Sequence, residues 1–146
     1  MTPNNKDDLS IQIINKSLEF GASLAGIANV TELKKSPSHI IAQKIPGFLS
    51  TGTKQVEDKK QGEIHWPDNA KSAVVIAVEH PLGEPDMDWW LMGSKGGTKG
   101  NAKLIAVFSK LADWLEKEKQ IPYIKLAYQI EHGAVFMKDA AVLGGL

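Results

Sequence analysis

Apolar residues recur at helical spacing in two long stretches of the chain. Between residues 7 and 23, three of them lie on one face of a 3.6-residue period, Ile11, Ile14 and Leu18. Gly21 follows that run, where glycine commonly ends a helix. Between residues 101 and 120 the spacing is i, i+4, i+7 and i+11, at Leu104, Phe108, Leu111 and Leu115. Both stretches are predicted to be amphipathic helices.

Nearly continuous β-branched residues mark the clearest strand, SAVVIAVEH at residues 72–80. This pattern is typical of a strand buried on both faces, and Pro81 ends it. SLAGIANV (23–30) and YIKLAYQI (123–130) are shorter strand candidates. We therefore expect residues 72–80 to form the central strand of a sheet.

Two shorter helices complete the prediction. Ser36 can cap a helix that begins at Pro37, a favoured first position. Residues 136–143 predict a second short helix, followed by a Gly144–Gly145 turn. Residues 46–69 lack periodicity and are predicted to be mostly loop. The alternation of strands and helices predicts a single α/β domain, with a sheet flanked by helices.

Charge and composition exclude several functions. The chain of 146 residues carries 17 basic and 17 acidic side chains, so it offers no excess positive charge for nucleic-acid binding. It has no cysteine, so it cannot by itself hold a conventional iron–sulfur cluster. No apolar run approaches the roughly 18 residues of a transmembrane helix. The N-terminus, MTPNNKDDLS, lacks the pattern of a secretion signal, and we expect a cytoplasmic protein.

Few residues form recognisable chemical motifs. GSKGGTKG (93–100) is rich in glycine, but Thr98 stands where a phosphate loop needs its second glycine, which favours an ordinary loop over an anion site. Four histidines are scattered without the spacing of a zinc site. Glu131–His132 follows a predicted strand, either as a site or as a solvated turn. Trp89–Trp90 could face a flat ligand, although core packing is the expectation.

Several stretches in matching order resemble the N-terminal domain of the epoxyqueuosine reductase family and its relatives. They are GASLAGIA, NAKSAVVIAVEHP, DWW…GGTKGN and FMKDAAVLGGL. The resemblance implies an α/β domain related to the cobalamin-binding folds of reductive dehalogenases and to nitroreductase-like folds. It also implies a reductase that binds cobalamin between this domain and a ferredoxin-like iron–sulfur module. Because the chain stops at a turn that runs onward in the family and has no cysteine, we expect it to be incomplete and inactive alone.

The resemblance also implies site residues. Glu131 stands where the family has its proton-donating aspartate. The cofactor-binding residues it implies are Gly96, Gly97, Thr98, Asn101, Gly144 and Gly145. No residue is expected to bind a metal directly, and Lys99 replaces a proline that the related branch carries.

Two other functions remain open. The domain could bind a flavin in a reductase, or it could be a stand-alone binding or assembly domain for a ferredoxin-type partner. The apolar residues of the C-terminal segment, Phe136, Val142, Leu143 and Leu146, predict a homodimer, because large exposed apolar patches usually find a partner.

Overall fold

The computed structural model describes residues 5–42, 66, 68–94, 96–126 and 135–146. The elements found there are, in chain order, α1 (Asn5–Glu19), β1 (Leu24–Asn29), α2 (Val30–Leu33), α3 (Pro37–Ala42), β2 (Ser72–Ala77), a 3-10 turn (Pro85–Asp88), α4 (Lys99–Lys117) and α5 (Met137–Leu143). Helices and strands thus occur together, which confirms the prediction of a mixed α/β domain.

The two strands pair antiparallel. Beyond their ends, backbone hydrogen bonds join Ser23 to Ala77 at 2.8 Å and Val30 to Lys71 at 3.0 Å. Ile76 is buried, while the neighbouring valines of β2 are half-buried rather than enclosed on both faces. Within the described residues, β2 has β1 as its neighbour, so a central position in a larger sheet is not seen there.

The chain divides into two compact units. The first unit comprises Met1–Gly26 and Ile76–Tyr123, and it holds α1, the 3-10 turn and α4. The second comprises Ile27–Val75 and Ile124–Leu146, and it holds α2, α3 and α5.

Helix α4 contributes a row of buried side chains to the core of the first unit. Its buried side chains lie on one stripe, formed by Val107, Leu111, Ala112, Trp114 and Leu115. The predicted face was therefore nearly right, but Phe108 lies at its margin and is 38% exposed. Trp114, which is bulky and only 5% exposed, belongs to the buried face, so that face is shifted around the helix toward Trp114 relative to the predicted one.

Helix α1 buries a different face from the one predicted. Ile13 and Ser17 are buried, whereas Ile11 is 57% and Leu18 is 43% exposed. Ser17 tolerates burial because its hydroxyl donates to the Ile13 carbonyl at 2.8 Å, which satisfies its polar oxygen. Apolar spacing alone could not show this, because a serine counts as polar in such a pattern.

Gly21 ends α1 in a left-handed conformation, with φ of +109°. Its N–H donates to Leu18, and the Ala22 N–H donates to Ser17, each at 3.0 Å. These two bonds form a Schellman motif, which satisfies carbonyls that the helix end leaves unpaired. The predicted role of Gly21 is confirmed.

The second unit is built from short helices. Asn29 caps α2, because its side-chain oxygen accepts the N–H groups of Thr31 at 2.8 Å and Glu32 at 3.2 Å. Val30 and Leu33 of α2 are buried, and α2 contacts α5. Helices α3 and α5 form within the predicted segments.

Not every predicted element can be followed. Residues 121–126 contain no strand, contrary to the prediction for their part of YIKLAYQI, and 127–130 lie outside the described residues. The predicted loop at 46–69 is described only at residues 66, 68 and 69. Among the helices described here, none has the length and apolar character that crossing a membrane requires.

Substituting Gly21 with alanine tests the end of α1. We expect Gly21→Ala to lower the free energy of unfolding by about 1–2 kcal/mol, because a left-handed backbone is unfavourable for a residue with a Cβ. The matched control is Gly83→Ala, where an added Cβ meets nothing within 4 Å and no positive φ is required. Urea unfolding followed by circular dichroism measures both. Equal effects of the two substitutions would contradict the assignment.

Candidate functional site

A glycine-rich loop closes on itself before α4, in the first unit. In this glycine loop, residues 90–98, Trp90 and Thr98 form an antiparallel bridge. A backbone N–H within the loop donates to the Gly97 carbonyl at 2.7 Å. Gly96 and Gly97 have φ of +82° and +81°, a region that side-chain-bearing residues rarely adopt. Glycine at these two positions lets the chain turn back toward Trp90.

The start of α4 is fixed by side chains from the same segment. Thr98 is the N-cap, and its hydroxyl oxygen accepts the Asn101 N–H at 3.1 Å. The Asn101 side-chain amide donates in turn to the Gly96 carbonyl at 2.8 Å. Four of the predicted cofactor-binding residues are therefore brought together: Gly96, Gly97, Thr98 and Asn101. Each also has a clear structural role.

The two adjacent tryptophans are exposed, so the expectation that they pack in the core is wrong. Trp90 covers Gly97 so closely that a Cβ there would overlap its ring, yet 75% of Trp90 remains accessible. Trp89 is 63% exposed and Met92 is 94% exposed, while Met87 is buried. One face of the Trp90 indole packs on the loop, and its other face is open to solvent.

A histidine packs against the first turn of α4. The His80 ring lies over Gly100, where a Cβ would overlap the imidazole. Its Nδ1 is 2.6 Å from an Asp88 carboxylate oxygen, at the end of the 3-10 turn. The pair is substantially exposed, so its contribution to stability is small. A Cβ at position 100 would therefore force the His80 ring to move.

The charges near the glycine loop do not favour an anion. Lys99, the first residue of α4, forms an ion pair with Asp86. The hydrogen bond from Lys99 holds the pKa of the Asp86 carboxyl below its ordinary value. A second carboxylate, Asp88, lies in the same 3-10 turn. Because the lysine is already neutralised, this arrangement favours an ordinary loop over a phosphate loop.

The second unit contains a buried polar cluster that the sequence did not reveal, centred on His39. His39 is 2% exposed, and its Nδ1 is 2.7 Å from the Ser36 hydroxyl. Its Nε2 accepts the Phe136 backbone N–H at 3.3 Å. The rings of Trp66 and Phe136 pack around it, with centroids 5.3 Å and 4.9 Å from that of the imidazole.

Asp139 of α5 joins this cluster to the start of α3. Its carboxylate accepts the Ser38 backbone N–H at 3.0 Å and the Ser38 hydroxyl at 2.7 Å. Burial raises the pKa of Asp139, but hydrogen bonds from Ser36 and Ser38 outweigh burial and hold that pKa below its ordinary value. The carboxylate therefore caps α3 from a different helix.

Serine, histidine and aspartate suggest a hydrolytic triad, but the geometry does not fit one. In a triad the serine and the aspartate bind opposite ring nitrogens. Here Ser36 and Asp139 both lie on the Nδ1 side, at 2.7 Å and 4.0 Å, and Nε2 is occupied by a backbone N–H. All three groups are largely buried. The cluster is suited to holding helices together rather than to attacking a substrate.

The remaining predicted site residues fall elsewhere. Gly144 and Gly145 end α5 in the second unit, and Gly145 has φ of +82°. The Gly145 N–H donates to Val142 at 3.1 Å, and the Leu146 N–H donates to Ala141 at 2.9 Å, a second Schellman motif. Glu131 lies outside the described residues.

Neither a search for metal-binding groups nor comparison with known proteins assigns a function to the residues described above. Across the described parts of the chain, no three histidine, aspartate or glutamate side chains are grouped to hold a metal ion. No protein-family model, curated protein or solved structure matches the chain. The resemblance to epoxyqueuosine reductase therefore rests on the sequence motifs.

Gly100→Ala tests the packing of His80 on α4. In an exposed helix this substitution stabilises by about 1 kcal/mol. Here we expect a loss of about 1–3 kcal/mol, the usual cost of overpacking, because the new Cβ displaces the His80 ring. Thermal and urea unfolding measure the change.

The double variant His80→Ala/Gly100→Ala is the control, and it should be more stable than Gly100→Ala alone, since it removes the clashing ring. Stability of Gly100→Ala at or above that of the unchanged protein would show that the ring does not restrict this position.

Proposed function

We propose that this chain is a cytoplasmic, corrinoid-binding domain of an iron–sulfur-dependent reductase that resembles epoxyqueuosine reductase. The observation that supports the proposal most is the exposure of Trp89 and Trp90 beside the glycine loop. Both tryptophans belong to the DWW…GGTKGN stretch that carries the resemblance. Aromatic side chains bury large apolar areas and stack on flat rings, which is what a planar macrocycle requires.

The glycine loop limits where such a ligand can lie. The space that a Cβ would occupy is filled at Gly97 by Trp90, at Gly100 by His80, and at Gly96 by Asn101 and Ile105. A ring therefore cannot enter between the glycines. The fit is instead with the outer face of the Trp90 indole and the neighbouring apolar side chains, Trp89 and Met92. Thr98 and Asn101 contribute by holding the loop in shape.

The roles of the remaining residues follow from the resemblance. When bound, a corrinoid would supply a redox-active cobalt centre. The chain has no cysteine, so the iron–sulfur clusters that feed this centre belong to a ferredoxin-type module or protein. Glu131 is the proposed proton donor, and Gly144–Gly145 is the proposed second cofactor-contacting turn. Without the iron–sulfur component, this chain is expected to be inactive.

The charges at the N-terminus of α4 disfavour a flavin nucleotide. Flavin nucleotides carry a phosphate, which proteins usually bind with free N–H groups and cations at a helix N-terminus. At the N-terminus of α4, Lys99 is already paired with Asp86, and Asp88 adds another negative charge nearby. A domain that only docks a ferredoxin-type partner would bind neither cofactor.

Cofactor binding can be measured directly. We expect the protein to change the visible spectrum of hydroxocobalamin on titration and to bind flavin mononucleotide at least about tenfold more weakly. Trp90→Ala should raise the Kd for the corrinoid about tenfold, because one stacking contact is worth about 1–3 kcal/mol and 1.4 kcal/mol is a factor of ten.

Trp90→Phe and Ile11→Ala serve as controls for this measurement. Trp90→Phe keeps an aromatic ring over Gly97, and Ile11→Ala removes another exposed apolar side chain, from α1. Both should bind the corrinoid nearly as well as the unchanged protein. Flavin binding in preference to the corrinoid would favour the flavin reductase, and binding of neither would favour the docking domain.

We also propose that the protein forms a homodimer through α5. Three apolar side chains of this helix face solvent: Met137 at 50%, Val142 at 75% and Leu143 at 38% exposed. Part of the helix circumference is already occupied, since Ala140 is buried and Asp139 binds α3. A two-fold pair of such faces would cover the apolar side chains.

Leu143→Glu tests the dimer. Light scattering should give twice the chain mass for the unchanged protein and the chain mass for Leu143→Glu, because the new charge would be buried at the interface. Lys138→Glu places a charge change on the same helix at an already polar, exposed position and should leave the dimer intact. A monomer before any substitution would overturn this proposal.

A further inference from the structure

His39 uses both ring nitrogens in a site that is almost closed to water. Its side chain is 2% exposed, and within the described chain every buried polar side-chain atom has a hydrogen-bond partner. The Phe136 N–H can only donate, so Nε2 must accept and cannot carry a proton. The proton of the neutral ring therefore lies on Nδ1, which donates to the Ser36 hydroxyl at 2.7 Å.

A second proton on His39 is incompatible with this arrangement. In the imidazolium both ring nitrogens are donors, so Nε2–H would point at the Phe136 N–H. Phe136 is the N-cap residue of α5, and its carbonyl accepts the Ala140 N–H at 3.1 Å. Its ring also packs edge-on against the imidazole. The lost hydrogen bond therefore lies where α5 begins.

Two charged side chains, Asp139 and Lys34, belong to the surroundings of His39. Asp139 of α5 lies 4.0 Å from Nδ1 and favours the charged ring. Lys34, which follows α2, lies 5.3 Å from the centre of the Trp66 ring that packs on His39. Ser36 and Ser38, at the start of α3, are neutral. These are the charged and polar groups that face the ring within the described chain.

We propose that His39 is an acid-sensitive latch, whose protonation breaks its bond to Phe136 and detaches the N-cap of α5 from α3. The latch consists of His39, Ser36, Phe136 and Asp139. In the neutral state the ring ties Phe136 to α3, while Asp139 caps the same helix through Ser38. In the acid state the Asp139 contacts to Ser38 remain.

The direction of the pH dependence follows from burial. Burial lowers the pKa of His39 from its ordinary value of 6.5, and the Asp139 charge offsets this only in part. A histidine whose pKa is lowered by folding stabilises the folded state fully above pH 6.5, and this contribution is lost as the pH falls below that value. Asp139, whose pKa is also lowered, keeps its own contribution until the pH falls below its ordinary value of 3.8. The two transitions occupy different pH ranges.

Amide hydrogen exchange between pH 7.5 and 5.0 tests the latch, after correction for intrinsic exchange rates. We expect protection at Phe136 and Ala140 to fall at least about tenfold toward pH 5.0, the signature of local opening. Leu111, buried in α4 of the first unit, serves as the reference and should keep its protection. Equal loss at Leu111 would indicate general unfolding and would overturn the latch, as would constant protection in α5.

His39→Gln removes the titrating group while leaving an acceptor near the position of Nε2. In this variant, protection at Phe136 should no longer depend on pH, whereas the control His80→Gln, an exposed histidine of the first unit, should keep the full dependence. An unchanged pH dependence in His39→Gln would overturn the proposal. If His39→Gln does not fold, nitrogen NMR of the unchanged protein decides: a proton on Nε2 at pH 7.5 contradicts the latch, and a proton on Nδ1 supports it.

Discussion

The requirement that buried polar groups be hydrogen-bonded governs the second unit. Its three helices are too short to be stable on their own, since isolated helices need roughly 12–15 residues even with favourable sequences. They depend on one another through Asp139, which caps α3 from α5, and through His39, which binds the Phe136 N–H. Because each group is buried, loss of either partner leaves an unpaired polar atom that costs about 1–3 kcal/mol. The cluster therefore determines how α3 and α5 are joined.

In the first unit, aromatic rings that pack directly on glycine residues hold the start of α4 and the loop before it in place. Trp90 occupies the space above Gly97, and His80 occupies the space above Gly100. Both rings thereby hold the segment before α4 in place with one face and leave the rest of their surface accessible. A rigid loop that displays aromatic rings at low conformational cost is well suited to binding, because little side-chain freedom remains to be lost. The same glycines that permit the turn also permit this packing.

The sequence predicted the helices well and their surroundings poorly. Periodic apolar residues located α1 and α4, and Gly21 marked the end of α1 because a left-handed turn needs glycine. The buried face of α1 was predicted wrongly because it contains a polar residue, Ser17. Its burial is possible since its hydroxyl donates a hydrogen bond to the Ile13 carbonyl one turn earlier. Apolar character likewise suggested that Trp89 and Trp90 are buried, yet composition cannot show whether an aromatic ring covers a core or a loop.

The sequence could predict the parts of the candidate sites whose residues are close together along the chain, and no others. Gly96, Gly97, Thr98 and Asn101 lie within six positions of one another, so their proximity followed from the sequence. The His39 cluster joins residues about 100 positions apart, and no spacing rule connects them.

The packing of His80 on Gly100 has an evolutionary consequence. A larger residue at position 100 requires the ring at position 80 to move or to be lost, so the effects of substitutions at the two positions are expected to depend on each other. The same coupling applies to Trp90 and Gly97. A larger residue at either glycine is therefore best tolerated after its aromatic partner has been replaced.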